Sequence, residues 1–289
     1  MSLPAPLAIG STRTGVVRRL SGRDWVVTLC AGVLVLVVLI AIFAPWIAPD
    51  NPNAISLLDR WLPPSAAHLL GTDALGRDIL SRLIWGARLS LLGPFLIILL
   101  AVSLGTVVAI TTAWVGGWFD TVTSRGLDIL FAFPGLILAL LAVALFGTGL
   151  VAPVIALSIA YLPYISRVLR SGALKERQMP YIAAATVEGL PTRRIAARHL
   201  LPNIMSLVLV QATLSFGYAL VDLAAVSYLG LGVQPPASEW GLMVSTGQNS
   251  ILSGHPQESL YAGLCIIVTV VASNVLGDRL AGRLSERRS

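Results

Sequence analysis

Residues 181 to 202 read YIAAATVEGLPTRRIAARHLLP and lie between two long apolar runs, so their local structure decides what joins two membrane-spanning segments. Pro180 suits the first position of a helix, where its missing N–H costs nothing, and predicts a short helix from Tyr181 to Glu188. Gly189 is the residue type that ends such a helix in left-handed geometry. Thr192 is then expected to cap a second short helix and Pro202 to stop it. Arg193, Arg194 and Arg198 cluster on this second piece, while Ile195, Ala196, Leu200 and Leu201 give it an apolar side. The pattern predicts a compact helix-turn-helix knob at one membrane face.

The surrounding chain demands a membrane. Of its residues 56% are hydrophobic and 12% charged, and mean hydropathy is +0.82, outside the range of soluble globular domains. Six apolar stretches approach the ~20 residues that a bilayer core requires of a helix. They run from Trp25 to Ile47, Leu89 to Val115, Ile129 to Phe146, Val151 to Val168, Ile204 to Leu231 and Leu260 to Leu276. The first is too long for the apolar region of a signal peptide and lacks a clear cleavage site, so it is expected to remain as an anchor.

The net charge of +6 is distributed in a way that argues for topology rather than nucleic acid. Arg13, Arg18, Arg19 and Arg23 precede the first span. Arg167, Arg170, Lys175, Arg177, Arg193, Arg194 and Arg198 surround the knob, and Arg279, Arg283, Arg287 and Arg288 follow the last span. Six crossings place all three groups on one side, which the positive-inside rule makes the cytoplasm. Residues 232 to 258 on the opposite side contain no Lys or Arg. The expected organisation is a tail at 1–24, a first span at 25–47, and an extracytoplasmic loop with an amphipathic helix at 48–88. A five-helix core at 89–278 then includes the knob, and a tail at 279–289 closes the chain.

From Gly76 to Ser90 apolar residues recur with helical period opposite Asp78, Arg82 and Arg88, which predicts either an amphipathic helix at the membrane interface or, on the plainer and favoured reading, a solvated helix face leading into the second span. Asp73/Arg77 and Asp78/Arg82 are acid-before-base pairs spaced i,i+4. Within the spans, Pro134 in FAFPGL and Pro163 in YLPYISR free backbone carbonyls and allow kinks, either at a gate or as ordinary packing geometry. With Phe133 and Asp222 they form the candidate translocation path. Asp222 in GYALVDLAAV is a carboxylate inside an apolar span and so a candidate site. A structural role, hydrogen bonding to nearby groups, is favoured over pore lining. Gly230, Gly232, Pro235 and Pro236 before Trp240 suggest a rigid turn back to the membrane on the outer side, able to meet another protein or simply to pack against Trp61 and a partner subunit.

Catalytic chemistry is not indicated. The sole lysine, Lys175, sits in SGALKER without a phosphate-binding loop, and His68, His199 and His255 lack metalloprotease spacing. Cys30 and Cys265 fall inside apolar spans and carry no disulfide or metal argument.

HLLGTDALGRDILSRLIWGARLSL at 68–91, DILFAFPGLILAL at 128–140, RHLLPN at 198–203 and SYLGLGVQPPASEWGLM at 227–243 occur in that order. Together they resemble C-type permease subunits of the dipeptide, oligopeptide and nickel ABC importers. The knob resembles the EAA loop of such permeases, which inserts into a cleft on an ATPase subunit. The resemblance implies an all-α integral membrane protein with six transmembrane helices, the type I ABC importer permease fold and cytoplasmic coupling helices. Its coupling residues would be Ala183, Ala184, Ala185, Gly189, Arg193, Arg194, Arg198, His199, Leu201 and Pro202. One departure is Ala183, where the family commonly has Glu.

Implied partners are a B-type permease as heterodimer mate, two ATP-binding subunits or one fused ATPase, an extracytoplasmic substrate-binding protein and the lipid bilayer, with no nucleic acid. ATP and Mg would sit on the ATPase subunits, and no cofactor on this chain. The implied location is the bacterial cytoplasmic membrane, with both termini inside. The rival reading is an ion-coupled secondary transporter or channel using Asp222. It leaves the basic knob unexplained, and no inverted repeat is apparent.

Overall fold

The computed structural model describes residues 24 to 286. Arg13, Arg18, Arg19, Arg23, Arg287 and Arg288 of the terminal basic groups, and the side chain of Arg283, lie outside what it describes. The helices are α1 (Asp24–Ile47), α2 (Ile79–Val115), α3 (Gly117–Phe131), α4 (Gly135–Phe146), α5 (Val151–Arg177), α6 (Pro180–Val187), α7 (Thr192–Ile195), α8 (Leu201–Tyr228), α9 (Trp240–Thr246), α10 (Gln248–Leu252) and α11 (Gln257–Glu286). Among the described residues α1, α2, α5, the run from Thr192 to Tyr228, and α11 are long and apolar enough to cross a membrane.

The third span differs from the sequence expectation. It starts at Gly117 rather than Ile129 and is broken: α3 and α4 meet at an 80° bend. Pro134 sits at the break, where it has no N–H to continue the α3 ladder and fixes an extended backbone ahead of α4. At about 1.5 Å per residue α4 alone reaches only roughly 18 Å, short of the ~30 Å hydrocarbon core. Counted as one crossing, the bent pair completes six. Pro163 behaves differently, because α5 runs through it as one helix.

Residues 76 to 90 are not a separate interfacial helix. They open α2, a single helix of 37 residues, so the expected boundary at residue 88 falls inside it. They lead into the second span, but Asp78 and Arg82 on their polar side are covered by folded loop instead of water, and Arg88 alone of the three is exposed. Asp73, Arg77, Asp78 and Arg82 are all buried. Arg82 Nε lies 3.5 Å from Asp73 Oδ2 rather than pairing with Asp78, and Arg77 Nε donates to the same oxygen at 2.6 Å. Asp78 is occupied otherwise: its Oδ2 accepts from the Ser81 N–H at 2.7 Å and caps α2.

Three apolar clusters stack along the bundle. Ala41, Ile79, Leu83, Ala87, Trp240, Met243 and Ala262 join α1, α2, α9 and α11 at the end carrying the long loops. Ile97, Ile98, Leu157 and Leu223 join α2, α5 and α8 at mid-height. Ala101, Ile165, Leu169, Leu200 and Ile204 continue the core toward the knob. Small residues allow close approach: a Cβ on Gly105 would lie 2.9 Å from Ile165 Cγ2. Leu36, Ile42, Leu99, Ile129, Leu145 and Ile155 stay exposed on the bundle's outside, as a lipid-facing surface requires.

At the long-loop end the turn before Trp240 folds back onto α2. Trp240 is buried and donates Nε1–H to the Leu83 carbonyl at 3.0 Å. Glu239 caps α9 through the Gly241 and Leu242 N–H groups and accepts from Ser90 Oγ at 3.1 Å. Trp61 stacks on His255 with ring centroids 5.0 Å apart and donates to Ser250 Oγ. The two long loops are thus clamped together.

Candidate functional site

The knob is built as two helices around one glycine. Pro180 occupies the first turn of α6. At the other end Gly189 has φ +76°, its N–H donates to the Thr186 carbonyl at 3.1 Å, and the Leu190 N–H donates to the Ala185 carbonyl at 3.2 Å. That pair of bonds is a Schellman motif, with Leu190 supplying the apolar contact that usually accompanies it. Leu190 packs with Ile182, Ala185, Ile195 and Trp114 into a small core of the knob's own. The link to the bundle runs through Arg177, whose guanidinium donates to the Ala113 carbonyl at 2.6 Å and lies 5.4 Å from the Trp114 ring centroid.

The second half departs from expectation in three respects. Thr192 is the first residue of α7 and Pro191 holds the cap position, with no side-chain capping bond. Pro202 does not stop the helix: residues Ala196–Leu200 form a π turn that leads directly into α8. The Leu201 N–H bonds to the Ala196 carbonyl, five residues back, and this wider turn accommodates the ring that an α-helical ladder would exclude. Finally, the apolar side is not free. Ile195 and Leu200 are fully buried within the chain.

The expected coupling residues therefore separate. Ala183, Ala184, Gly189, Arg193, Arg194, Arg198 and Pro202 are exposed, whereas Ala185 is buried in the knob core and His199 and Leu201 are half-buried. Val187, which the sequence reading omitted, is 88% exposed at the tip. The knob presents a small apolar patch beside three arginines, with no carboxylate within ion-pair distance of them among the described residues.

The candidate path residues are not gathered at one point. Asp222 on α8 is half-buried and accepts the Tyr161 hydroxyl at 2.7 Å from α5. Sequence reading missed Tyr161, although it stands in the YLPY run two residues before Pro163. Phe133 is exposed at the α3–α4 break, and Gly135 faces Ala160, the residue before Tyr161, at 3.2 Å from its added Cβ. The carboxylate is thus held by a phenol, and the break lies against the same stretch of α5. Two ion pairs strap α3 to α5 at the knob end. Arg170 grips Asp120 with both Nε and Nη2, and Arg167 Nη2 lies 2.6 Å from Asp128.

At the opposite end, ligand atoms of Asp50, His68 and Asp78 lie within 4.8 Å of one another, a convergence that linear spacing conceals. His68 Nδ1 is 3.1 Å from Asp78 Oδ1, and Ser81 Oγ accepts the Asp50 N–H at 3.0 Å. These bonds tie the loop to the start of α2.

Comparison with known proteins agrees with this architecture. Residues 101–289 match the family described as binding-protein-dependent transport system inner membrane component, and residues 16–64 match the N-terminal TM domain of oligopeptide transport permease C. The chain is 39% identical over 250 residues to the dipeptide transport system permease protein DppC of Alkalihalophilus pseudofirmus, covering 86% of this chain and 82% of that one. It is 36% identical over 263 residues to the glutathione transport system permease protein GsiD of Pectobacterium atrosepticum, covering 90% and 87%. Its fold is similar to that of a chain of the inward-facing MetNI methionine ABC transporter, with TM-score 0.55, 19% identity and coverage of 68% and 94%.

Proposed function

The chain belongs to the family of binding-protein-dependent transport system inner membrane components, and from that premise we propose that it is a C-type permease for peptides or a chemically related small solute. It pairs with a B-type permease, and the two line the path together. An ATPase on the knob side supplies the energy and a binding protein on the long-loop side delivers the solute. ATP and Mg belong to the ATPase.

The observation that carries this reading is the knob. Its core fixes α6 against α7, its exposed tip offers Val187 and three arginines to a partner, and its second half continues through the π turn into α8. A push on the tip is therefore transmitted to the helix that bears Asp222. A rigid lever of this kind suits a permease driven from outside itself better than an ion-coupled carrier, in which Asp222 would have to exchange its Tyr161 partner for an ion. The basic residues gathered at the knob end, against none in residues 232 to 258, orient that end and both termini to the cytoplasm of a bacterial cell membrane.

The test is uptake by vesicles holding the complete transporter. Uptake of a di- or oligopeptide that requires ATP and survives collapse of the proton gradient supports the reading. Uptake abolished by that collapse and indifferent to ATP would restore the ion-coupled alternative.

A further inference from the structure

A cleft of about 330 Å³ opens at the long-loop end of α2, between Trp85 and Arg88 on one side and Asn53 and Ser238 on the other, with Leu89 and Leu92 as its floor. Both loop walls are tied down. Arg82 Nη1 donates to the Pro52 carbonyl at 3.1 Å, and the Ala237–Ser238 wall precedes the Glu239 and Trp240 bonds to Ser90 and Leu83. The cleft is therefore a built feature of the fold.

Its polar groups have unspent capacity. Arg88 is exposed and has no carboxylate within 4 Å among the described residues, its guanidinium carbon lying 5.2 Å from the Trp85 ring centroid. Ser238 is 6% exposed, yet its buried Oγ has no hydrogen-bond partner, a condition that ordinarily costs stability unless a ligand or solvent fills it. A cationic fork and an orphaned hydroxyl lining one cleft form a donor set for a tetrahedral oxyanion.

The floor says what else the ligand has. Arg88 is the last charge on α2, since residues 89 to 115 carry none, and at about 1.5 Å per residue that run is long enough to cross the hydrocarbon. Arg88 thus stands where headgroups begin. Leu92, Phe95 and Leu99 follow it at successive helical turns and are all exposed, forming an apolar stripe that leads from the cleft into the bilayer. We propose that the cleft between Arg88 and Ser238 is a phospholipid site. The headgroup phosphate is held by Arg88 and the Ser238 hydroxyl, and an acyl chain lies along Leu92 and Phe95. A peptide carboxylate would satisfy Arg88 as well, but a cleft that opens onto this lipid-facing stripe suits a headgroup with an acyl chain better than a peptide. The proposal is independent of which solute the protein carries.

The experiment uses the full chain purified from membranes with the subunits that accompany it, stripped of lipid and titrated with dioctanoyl phosphatidylglycerol while bound lipid is counted by native mass spectrometry. Arg88→Gln is expected to weaken one saturable site by about tenfold, the loss of a charge-assisted contact of about 1.4 kcal/mol. Arg88→Lys is expected to fall between it and wild type, and Ser238→Ala to weaken the site by a smaller factor. Unchanged unfolding temperature of lipid-free Arg88→Gln shows that the effect is not misfolding; a lowered one shifts the test to Ser238→Ala and Arg88→Lys. Dioctanoylglycerol, which has the chains without phosphate, and inorganic phosphate, which has no chains, should each bind much more weakly. Equal binding of either, or identical titrations of wild type and all three variants, overturns the proposal. So does displacement of the lipid by a tripeptide with a free carboxylate but not by its C-terminal amide, which would reassign Arg88 to the solute.

Discussion

Tyr161 on α5 donates its hydroxyl hydrogen to Asp222 Oδ2 on α8 at 2.7 Å. A carboxylate within a membrane span is costly unless such donors meet it. Asp222→Asn keeps an oxygen that can accept the bond, so most transport and assembly should survive, whereas Asp222→Leu leaves the phenol without its partner and should lose both. Tyr161→Phe should resemble Asp222→Leu in stability. Purified yield, unfolding temperature and uptake of the three variants measure this. A folded, assembled Asp222→Asn without any uptake would show that the charge itself is used.

Asp73 is 2% exposed and serves Arg77 and the fully buried Arg82 at once. Asp73→Ala removes the carboxylate bonded to Arg77 and nearest to Arg82, leaving Arg82 its Pro52 contact, and should destabilise the loop end by about 3–5 kcal/mol, the cost of breaking a buried pair. Asp128→Ala removes an ion pair whose partners are each more than half exposed and should change stability by less than about 1 kcal/mol. Thermal unfolding of the two variants gives the contrast directly, and equal losses would contradict the burial assigned to Asp73.

These elements also show how far the sequence could be read. The six crossings were legible because bilayer thickness sets a length that hydropathy records. The α6 helix and its Gly189 stop were legible because Pro at a first turn and Gly past a last one act locally. Residues 76 to 90 do lead into the second span, but the solvent exposure expected of Asp78 and Arg82 was misread for a physical reason: helical periodicity shows that one side is polar, but not whether water or a folded loop covers it. Pro202 was misread because its tolerance depends on a π turn that no propensity marks. Tyr161 escaped notice because its role is defined by a residue on another helix.

Orientation can be tested at two exposed positions. Leu252, 86% exposed as the last residue of α10, and Val187, 88% exposed on the knob, lie at opposite ends of the bundle. With Cys30 and Cys265 replaced, Leu252→Cys should react with a membrane-impermeant maleimide in intact cells, and Val187→Cys only after permeabilisation. The reverse pattern would invert the proposed topology.

Gly189 isolates the lever from the fold. Its φ of +76° is one that L side chains rarely adopt, yet a Cβ there would meet nothing within 4 Å, so any substitution acts through the backbone alone. A β-branched side chain disfavours this geometry most, at about 1 kcal/mol or more, whereas Asn tolerates it. Gly189→Val should therefore open the Schellman turn, loosen Leu190 from Ile182 and Ile195, and misdirect Val187 and the arginines. The buried face of α8 is untouched, so membrane insertion and pairing with the second permease should persist while ATP-driven uptake is lost. Gly189→Asn should retain most uptake. Because Ala183 offers no carboxylate to a partner and Ile195 and Leu200 are turned inward, the proposed docking charge falls to Arg193, Arg194 and Arg198, and their joint replacement by Gln should reduce recovery of the ATPase at least as much as Gly189→Val. Co-purification of the ATPase with each variant measures docking, and undiminished recovery with normal uptake in both would remove residues 181 to 202 from the coupling path.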